Sequence, residues 1–527
     1  MENVPVTHPV YEYLLRAETR GFLPHYSLAD LPLERRRIVS ALKMIDERRS
    51  SLSNAESRTL DAFMEDFDIL PGNNYVIIPS KTDSSQLIFG GLITDREKYI
   101  YHYQDSSSTA KLSPLASVEY RIKSSADGIA ARNVALGNLG LRLFGTIDGK
   151  LGYYLEATNG RIIGGDRSLA REDPRLRQNV KFGILNDDFD FTHSHVRYRN
   201  DWFYASIGRE RRVIGAGLNQ HVLVSGHAPA FDALTIGASF SQFEYSYTHA
   251  SLLALSESAW PSGFPADIPQ KYAAFHRFAY KPSWGEIAFW ESVVYTGRPP
   301  DLGYLNPLSF LKSVEHALHD RDNSIMGFDA TIRPFAGLQI KGGFFLDDII
   351  IENIGTGYWS NKTAWNIAFI GAIPASLPID IGIEYTRVEP YTYSHFKYQE
   401  SFTHDSSMIG SVIPPNSDQL SAMLRLWYGG RYPVTIEATY SRHGANIYDA
   451  EGNLVENVGG DPFQTRRPED PMTVEFLDGR LSEVIRLGIE GGWEILRGYN
   501  LHLRTELLNV NGAAYFAGRI LFRFGDF

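Results

Sequence analysis

The sequence predicts a mainly β protein: a transmembrane antiparallel β-barrel of about eighteen strands, preceded by a small N-terminal α-helical bundle. Three observations carry that prediction. From about residue 98 the apolar residues recur with period two, as in strands with two unlike faces. The strands pair through tight turns, and between the pairs lie long polar loops. Finally, 13% of the 527 residues are aromatic and 46 are glycine, a load that suits strands and turns.

The totals bound the function. With 51 basic against 62 acidic residues the net charge is −11, so a nucleic-acid partner, which leaves a basic footprint, is not expected. The chain has no cysteine, which removes disulfides, thiolate metal sites and cysteine nucleophiles. Such a composition suits a protein crossing an oxidising compartment during export. No run of about 18 apolar residues is present. The nearest candidate, 364–383, is interrupted by Asn366, Pro374, Pro378 and Asp380 and is rejected as a membrane helix. Met1–Pro5 shows no signal peptide, so for an exported protein the expectation is a mature chain carrying an initiator Met.

Residues 1–72 are expected to form the helical bundle, 73–97 a connection and 98–527 the barrel. Tyr11, Leu14, Leu15 and Ala17 give one apolar face after Pro9. Between Leu31 and Glu47, Ile38, Leu42 and Ile45 repeat at helical spacing, with Arg35 to Arg37 opposite. Ser53-Asn54-Ala55-Glu56 has the pattern of a capping box opening a third helix that carries Leu60, Phe63 and Phe67. So small a core is marginal alone, and the bundle is expected to rest on something larger.

In the barrel region, Ile379, Ile381, Ile383 and Tyr385 alternate with Asp380 and Glu384, and Leu420, Ala422, Leu424 and Leu426 oppose Arg425. Leu501, Leu503 and Leu507 oppose His502, Arg504 and Glu506, while Phe516, Ile520, Phe522 and Phe524 oppose Tyr515, Arg519 and Arg523. A soluble sandwich would bury the apolar face; a membrane barrel turns it to lipid and keeps the charges in the lumen. Loop lengths select the barrel. Tight turns are expected at Asp148-Gly149, Asn200-Asp201, Pro282-Ser283, Pro334-Phe335 and Gly429-Gly430, and long loops near 161–187, 251–270, 295–323, 348–362, 388–417 and 442–480. Short turns at one end and long loops at the other mark outer-membrane barrels. The chain also ends in Phe527, although Phe524 and Phe522 fall out of register with it.

Several candidate constellations lie between 207 and 398. Arg209 and Arg211 belong to a charge run that reads either as a solvated turn or lumen-wall ion network, or as guanidinium forks for the carboxylates of acidic sugars. His276, Arg277, Glu291, Glu315, His316, Asp322, Asn323, Asp347 and Asp348 could pair across the lumen, since buried charges require partners. The alternatives are a sugar groove, a Ca²⁺ site without EF-hand spacing, or a glycosidase carboxylate pair. Tyr391, Tyr393 and Tyr398 crowd one long loop with Phe396, as an interfacial girdle or as a platform on which sugar rings stack. Tyr304 and Asn306 read first as a turn. No nucleophile elbow, metalloprotease or P-loop signature occurs, no serine–histidine pair is selected by spacing, and no cofactor or metal is implied.

Segments between 207 and 348 also carry a family likeness: IGRERRVIGAG (207–217), VSGHAPAFD (224–232), HRF (276–278), ESVVYTGR (291–298), YLNPLSF (304–310), DRDNSIMGFD (320–329) and FFLDD (344–348). With EYTRVEPYTYSH (384–395), IPPNSDQL (413–420) and the helical opening YEYLLRAETRGFL (11–23), the chain resembles the capsule assembly Wzi family of outer-membrane proteins, in its longer form with an N-terminal helical segment. One departure is the turn after the first arginine strand, where Val213-Ile214-Gly215-Ala216-Gly217 stands in place of a Trp-Gly-Pro-Gly turn. The resemblance implies an outer-membrane barrel of about eighteen strands, a periplasmic helical bundle and a lectin-like role without catalysis.

The function expected is therefore a non-enzymatic outer-membrane barrel that binds or organises capsular or exopolysaccharide. Lipid or lipopolysaccharide and polysaccharide are its expected partners, with an envelope protein docking on the N-terminal helices as a further possibility. A diffusion channel for small solutes and a scaffold subunit of an envelope complex are the rival readings. Loops 212–232 and 295–323 are expected to fill the lumen.

Overall fold

The computed structural model describes residues 1–70, 74–77, 91–125, 130–179, 187–255 and 269–525. The terminal Phe527, much of the 73–97 connection and parts of the 161–187 and 251–270 loops lie outside the described residues.

Eighteen long antiparallel strands close one barrel. They are β1 (Thr109–Lys123), β2 (Arg132–Ile147), β3 (Leu151–Gly165), β4 (Asp188–Arg199), β5 (Phe203–Glu210) and β6 (Phe231–Phe240). The next six are β7 (Phe243–Leu253), β8 (Gln270–Tyr280), β9 (Gly285–Thr296), β10 (Asn323–Phe335), β11 (Leu338–Asp348) and β12 (Lys362–Ile373). The last are β13 (Ile379–Val388), β14 (Ser417–Leu426), β15 (Val434–Ala445), β16 (Arg480–Leu496), β17 (Tyr499–Val510) and β18 (Ala513–Phe524). Neighbours in the sheet are neighbours in the chain, and β18 closes the barrel on β1 from Ala517 opposite Lys123 to Phe524 opposite Ala116. The short strand Tyr101–Gln104 continues along the same edge of β1.

The alternation in the sequence sorts the two faces as predicted. Ile381, Ile383, Leu420, Leu503 and Leu507 are exposed on the outside, whereas Asp380, Glu384 and Arg425 are buried inside. Among the described residues no helix is long and apolar enough to cross a membrane, and the rejected 364–383 stretch lies across β12, its turn and β13. The outward apolar belt and the charged interior are the architecture of an outer-membrane barrel.

Short turns lie at one end of the wall and the long loops at the other, where the last connection, Asn511-Gly512, is itself a tight turn. One turn is displaced from its expected place: Pro334 and Phe335 stay in β10, and the chain reverses at Ala336-Gly337, where Gly337 has φ +97°. A register shift between Ile332 and Phe335 lets Pro334 remain in the strand without a ladder donor.

The N-terminal helices are α1 (Val10–Thr19), α2 (Arg35–Asp46) and α3 (Asn54–Asp66). α3 opens with the expected capping box: Glu56 N–H donates to Ser53 Oγ at 3.2 Å, and Ser53 N–H donates to the Glu56 carboxylate at 2.8 Å. Val10, Leu14, Leu42, Ile45, Leu60 and Phe63 share a core to which the wall contributes Trp427. The segment seats on the short-turn mouth. Gly337 N–H donates to Thr19 O at 2.8 Å, Thr59 Oγ1 donates to Gly430 O at 3.0 Å, Arg37 meets Glu244 at 2.9 Å and the N-terminal ammonium meets Thr146 Oγ1 at 2.7 Å. These contacts come from turns and strand ends around the barrel circumference, so the helices cover that mouth.

Candidate functional site

Loop 211–230, joining β5 to β6, turns inward and crosses the lumen. Its Val213–Ile214 pairs with Asp30–Leu31 of the N-terminal segment, which ties the two plugging elements together. On the far wall the buried Glu384 of β13 accepts three successive backbone N–H groups, from Leu218 at 2.9 Å, Asn219 at 2.8 Å and Gln220 at 2.9 Å. Asn366 of β12 donates to Ala216 O at 3.0 Å. Gly217 suits this path, because a Cβ there would come within 1.9 Å of Gln220 O. Val222, Leu223 and Val224 then join an apolar cluster with Phe275, Trp290 and Phe345 from the inner wall. Between the start of the helical segment and the inner wall of β14–β18 a cavity of about 390 Å³ persists, bordered by Glu12, Arg425, Glu437, Glu490, His502 and Arg504.

The residues singled out in the sequence separate into three places. Arg277, Asn323 and Asp347 face inward. Arg277 bridges Glu286 and Asp329, its bond to the latter being 2.7 Å; Asn323 donates to Glu400 O at 2.9 Å; Asp347 takes Lys362 at 3.3 Å and Tyr393 N–H at 3.1 Å. Arg211 belongs to the inward loop, donates to Gly226 O and borders a smaller lumen cavity with Arg175, His193 and Glu210. At the rim, Arg209 pairs with Asp232 at 2.9 Å on the outer face, and Asp348 meets Lys362 at 3.0 Å.

Seven others lie outside the barrel: His276, Glu291, Tyr304, Asn306, Glu315, His316 and Asp322. This corrects the expectation that segment 295–323 fills the lumen. His276 and Glu291 share the strand parity of the exposed Phe278 and Ile287, so both point outward, with Nδ1 and Oε1 3.2 Å apart. They are nonetheless buried, because the hairpin 297–322 folds back over the outer wall with α4 (Leu302–Leu305) and α5 (Leu311–Ala317). Tyr304 is buried against Tyr247, Val293 and Tyr295, and its hydroxyl donates to Asp322 at 2.8 Å, which also holds Arg298 at 2.6 Å. The physical reason is sidedness: the hairpin's polar groups match an outer-wall patch of tyrosine, histidine and glutamate.

Glu315, His316 and Asp320 approach one another closely enough to suggest a metal. Lys312 Nζ already supplies the positive charge there, 3.1 Å from Glu315 and 3.7 Å from Asp320.

The long-loop rim is built on buried tyrosines. Tyr391 and Tyr393 are fully buried, so neither offers a ring face for stacking. Their hydroxyls donate to Asn457 O at 2.8 Å and Val222 O at 2.9 Å, pinning loop 389–416 to loop 446–479 and to the plug. Both adopt left-handed backbone, φ +61° and +71°, a strain held by these contacts. In the same loop Phe396 is 64% exposed beside Lys397, and Tyr398 is half-buried. Nearby, Arg466 lies over the Trp359 ring at 5.1 Å and Arg387 over Phe476 at 3.6 Å. Burial lowers the His404 imidazole to about 3, and its Nδ1 accepts Leu253 N–H at 3.1 Å.

A serine–histidine contact does occur, Ser417 Oγ to His443 Nδ1 at 2.9 Å, but Ser417 is buried and also lies 3.3 Å from Pro415 O, a structural rather than a nucleophilic setting. Sequence reasoning placed Glu384 on the lumen face without assigning it a role. Its parity was legible, but the loop that reaches it was not.

No protein-family model matches the chain, and no curated protein does. Among solved structures the fold matches that of Wzi from Escherichia coli, described as an outer-membrane protein involved in group 1 capsule assembly and a carbohydrate-binding β-barrel. That match has a TM-score of 0.61 at 11% identity and covers 100% of both chains. Two porins lie further away: OprD from Pseudomonas aeruginosa (TM-score 0.44, 12% identity, 79% of this chain and 94% of that one) and a BenF-like porin from Pseudomonas fluorescens (0.46, 9%, 80% and 98%). At these identities the likeness establishes the fold, an outer-membrane barrel of the Wzi type.

Proposed function

We propose that the protein is a non-enzymatic outer-membrane barrel that binds or organises capsular or exopolysaccharide, in a lectin-like way, at its long-loop end. The observation that carries this reading is the occupied lumen: loop 211–230 is clamped to Glu384 across the barrel while the helices cover the opposite mouth. A solute channel would need an open path where this chain has backbone held by three hydrogen bonds. The solved barrel of the same fold over the whole chain is described as carbohydrate-binding, which supports the same direction.

In this reading the helical segment lies on the periplasmic side and the loops 389–416 and 446–479 face outward. Phe396, Lys397 and Tyr398 are the candidate glycan contacts, replacing Tyr391 and Tyr393, which support the loop from beneath. Individual sugar contacts are weak, and retention comes from many repeats engaging many copies of the barrel. Binding of purified protein to a panel of acidic and neutral bacterial polysaccharides tests this. Retention of at least one polymer, weakened by Phe396→Ala, is expected; a deletion strain with undiminished cell-associated polysaccharide would sink the reading. Planar-bilayer recording separates the channel alternative, with a silent trace expected and steady open conductance counting against a binding scaffold.

A further inference from the structure

The hairpin 297–322 has a consequence independent of glycan binding. We propose that it is a second, membrane-embedded layer of the barrel wall, and that its outer surface is a docking surface for the acyl chains of the outer membrane.

Its position comes first. The hairpin leaves β9 at the long-loop rim, yet Pro307 O accepts the hydroxyl of Tyr245, two residues from the short-turn end of β7. Two residues of strand are roughly 7 Å, so the tip lies beside the last part of a strand whose length is the height of the wall. The wall around it is lipid belt: Phe278, Ile287 and Phe328 are exposed on the same outer face.

The second observation is what the hairpin covers. The cross-strand pair His276–Glu291 would place a carboxylate in contact with lipid, and charges on that face are costly. Under the hairpin the pair is sealed, together with Tyr247 and with His249, whose Nε2 lies 2.8 Å from Tyr295 Oη.

The third observation is how the hairpin's own backbone is satisfied. Irregular chain at membrane depth is tolerated only where its polar groups find protein partners. Here Tyr295 Oη accepts Asp301 N–H at 3.2 Å and the Asp301 carboxylate accepts Gly303 N–H at 2.9 Å. Asp301 O accepts Tyr304 and Leu305 N–H, the Asn306 side chain accepts Leu308 N–H, and Glu291 accepts Leu311 N–H at 3.0 Å. From the wall, Tyr247 Oη donates to Tyr304 O at 2.6 Å.

The large exposed side chains from the first short helix to the tip, 302–310, are apolar. The exposed Ser313, His316, His319, Asp320 and Arg321 lie on the return toward the rim at Asn323, and the exposed Asn306 turns its side chain back on Leu308 N–H. Leu302 is 82% exposed, Leu308 87% and Phe310 47%. In water these would be three large side chains left uncovered; against acyl chains they continue the belt of Phe278, Ile287 and Phe328. The occupant of the 302–310 surface is therefore lipid tail, recognised by apolar contact, with the polar return placed at the rim.

The absence of cysteine makes the test direct. Leu302→Cys and Leu308→Cys carry a nitroxide each in protein reconstituted into phosphatidylcholine vesicles, with Phe328→Cys as the lipid-belt reference and Phe396→Cys as the aqueous one. Collision with oxygen and with nickel ethylenediaminediacetate is measured by electron paramagnetic resonance, on protein that keeps closed-barrel migration on unheated gels. At both hairpin sites the oxygen-to-nickel accessibility ratio is expected to match Phe328→Cys and to exceed Phe396→Cys several-fold. A ratio like that of Phe396→Cys would place the hairpin in water and overturn the proposal. Low access to both reagents would mean that protein, such as a second copy of the chain, covers the surface, and would equally overturn it.

Discussion

Loops 211–230 and 297–322 leave the same rim of the same wall and end on opposite sides of it. The first runs inward as nearly bare backbone, with Gly215, Ala216 and Gly217, and finds its acceptor in Glu384 on the far wall. The second runs outward as two short helices and finds its acceptor in Glu291 on the near wall's outer face. In both cases one buried carboxylate collects N–H groups that would otherwise have no partner. What differs is the remaining surface: the inward loop shows apolar side chains to the inner wall at Val222, Leu223 and Val224, and the hairpin shows Leu302 and Leu308 away from the wall. A loop's destination is decided by which side of the wall offers partners for its polar groups, not by where it begins.

Breaking the inward clamp should have the largest effect. Glu384→Ala leaves three N–H donors without their acceptor, and the buried one, on Gln220, alone costs about 1–3 kcal/mol. The expected result is a fall in melting temperature together with the appearance of conductance in planar bilayers; a variant as silent and stable as the parent would refute the clamp. Next is the outward clamp. Glu291→Leu strips His276 of its partner and α5 of its first acceptor, and breaking a buried pair costs about 3–5 kcal/mol. The loss should open the hairpin to protease without raising conductance, so the two variants dissociate plug from flap. If both variants conduct, the assignment of the hairpin to the outer face fails.

Smaller changes sharpen the comparison. Tyr247→Phe deletes the single bond to Tyr304 O and is expected to cost about 1 kcal/mol, read from chemical denaturation of refolded protein. Ser53→Ala removes one half of the capping box in the helices that close the mouth, again at about 1 kcal/mol. Its effect should be confined to the helical segment, seen as faster amide exchange in 54–66 with the barrel unchanged.

The rim adds a pH dependence. His404 is neutral in the folded rim, with its pKa lowered to about 3 by burial, against about 6.5 in an unfolded chain. The unfolded state thus takes up a proton that the folded state refuses. The stability this group supplies is complete above about pH 6.5 and is lost progressively as the pH falls toward 3. Protease nicking of loop 389–416 should rise between pH 7 and pH 4, and His404→Gln should flatten that rise; an unchanged slope would remove His404 as its cause.

Some of this was written in the chain. Alternation at Ile379–Tyr385 and Leu501–Leu507 is enough to sort lipid face from lumen face, because a strand's side chains alternate regardless of what they meet. Ser53 and Glu56 mark a helix start because the capping contact spans three residues. The turn at Ala336-Gly337 was misplaced by two residues because a bulge keeps Pro334 in its strand. The charged residues between 276 and 322 were harder. His276 and Arg277 are adjacent, and alternation says they point to opposite faces. Which face carries the ion network and which the buried pair depends on a hairpin that arrives from elsewhere.

The sequence by itself determined that the chain forms a barrel of about eighteen strands with an apolar outside and a charged inside, since period-two patterning and the contrast of turn and loop lengths are local properties. Only the tertiary structure decided that loop 211–230 enters the lumen while 297–322 stays out, that Tyr391 and Tyr393 are pins and not platforms, and that Glu384 and Glu291 do the holding. Those outcomes depend on partners 20 to 171 residues away, and a buried polar group is stable only where such a partner happens to meet it.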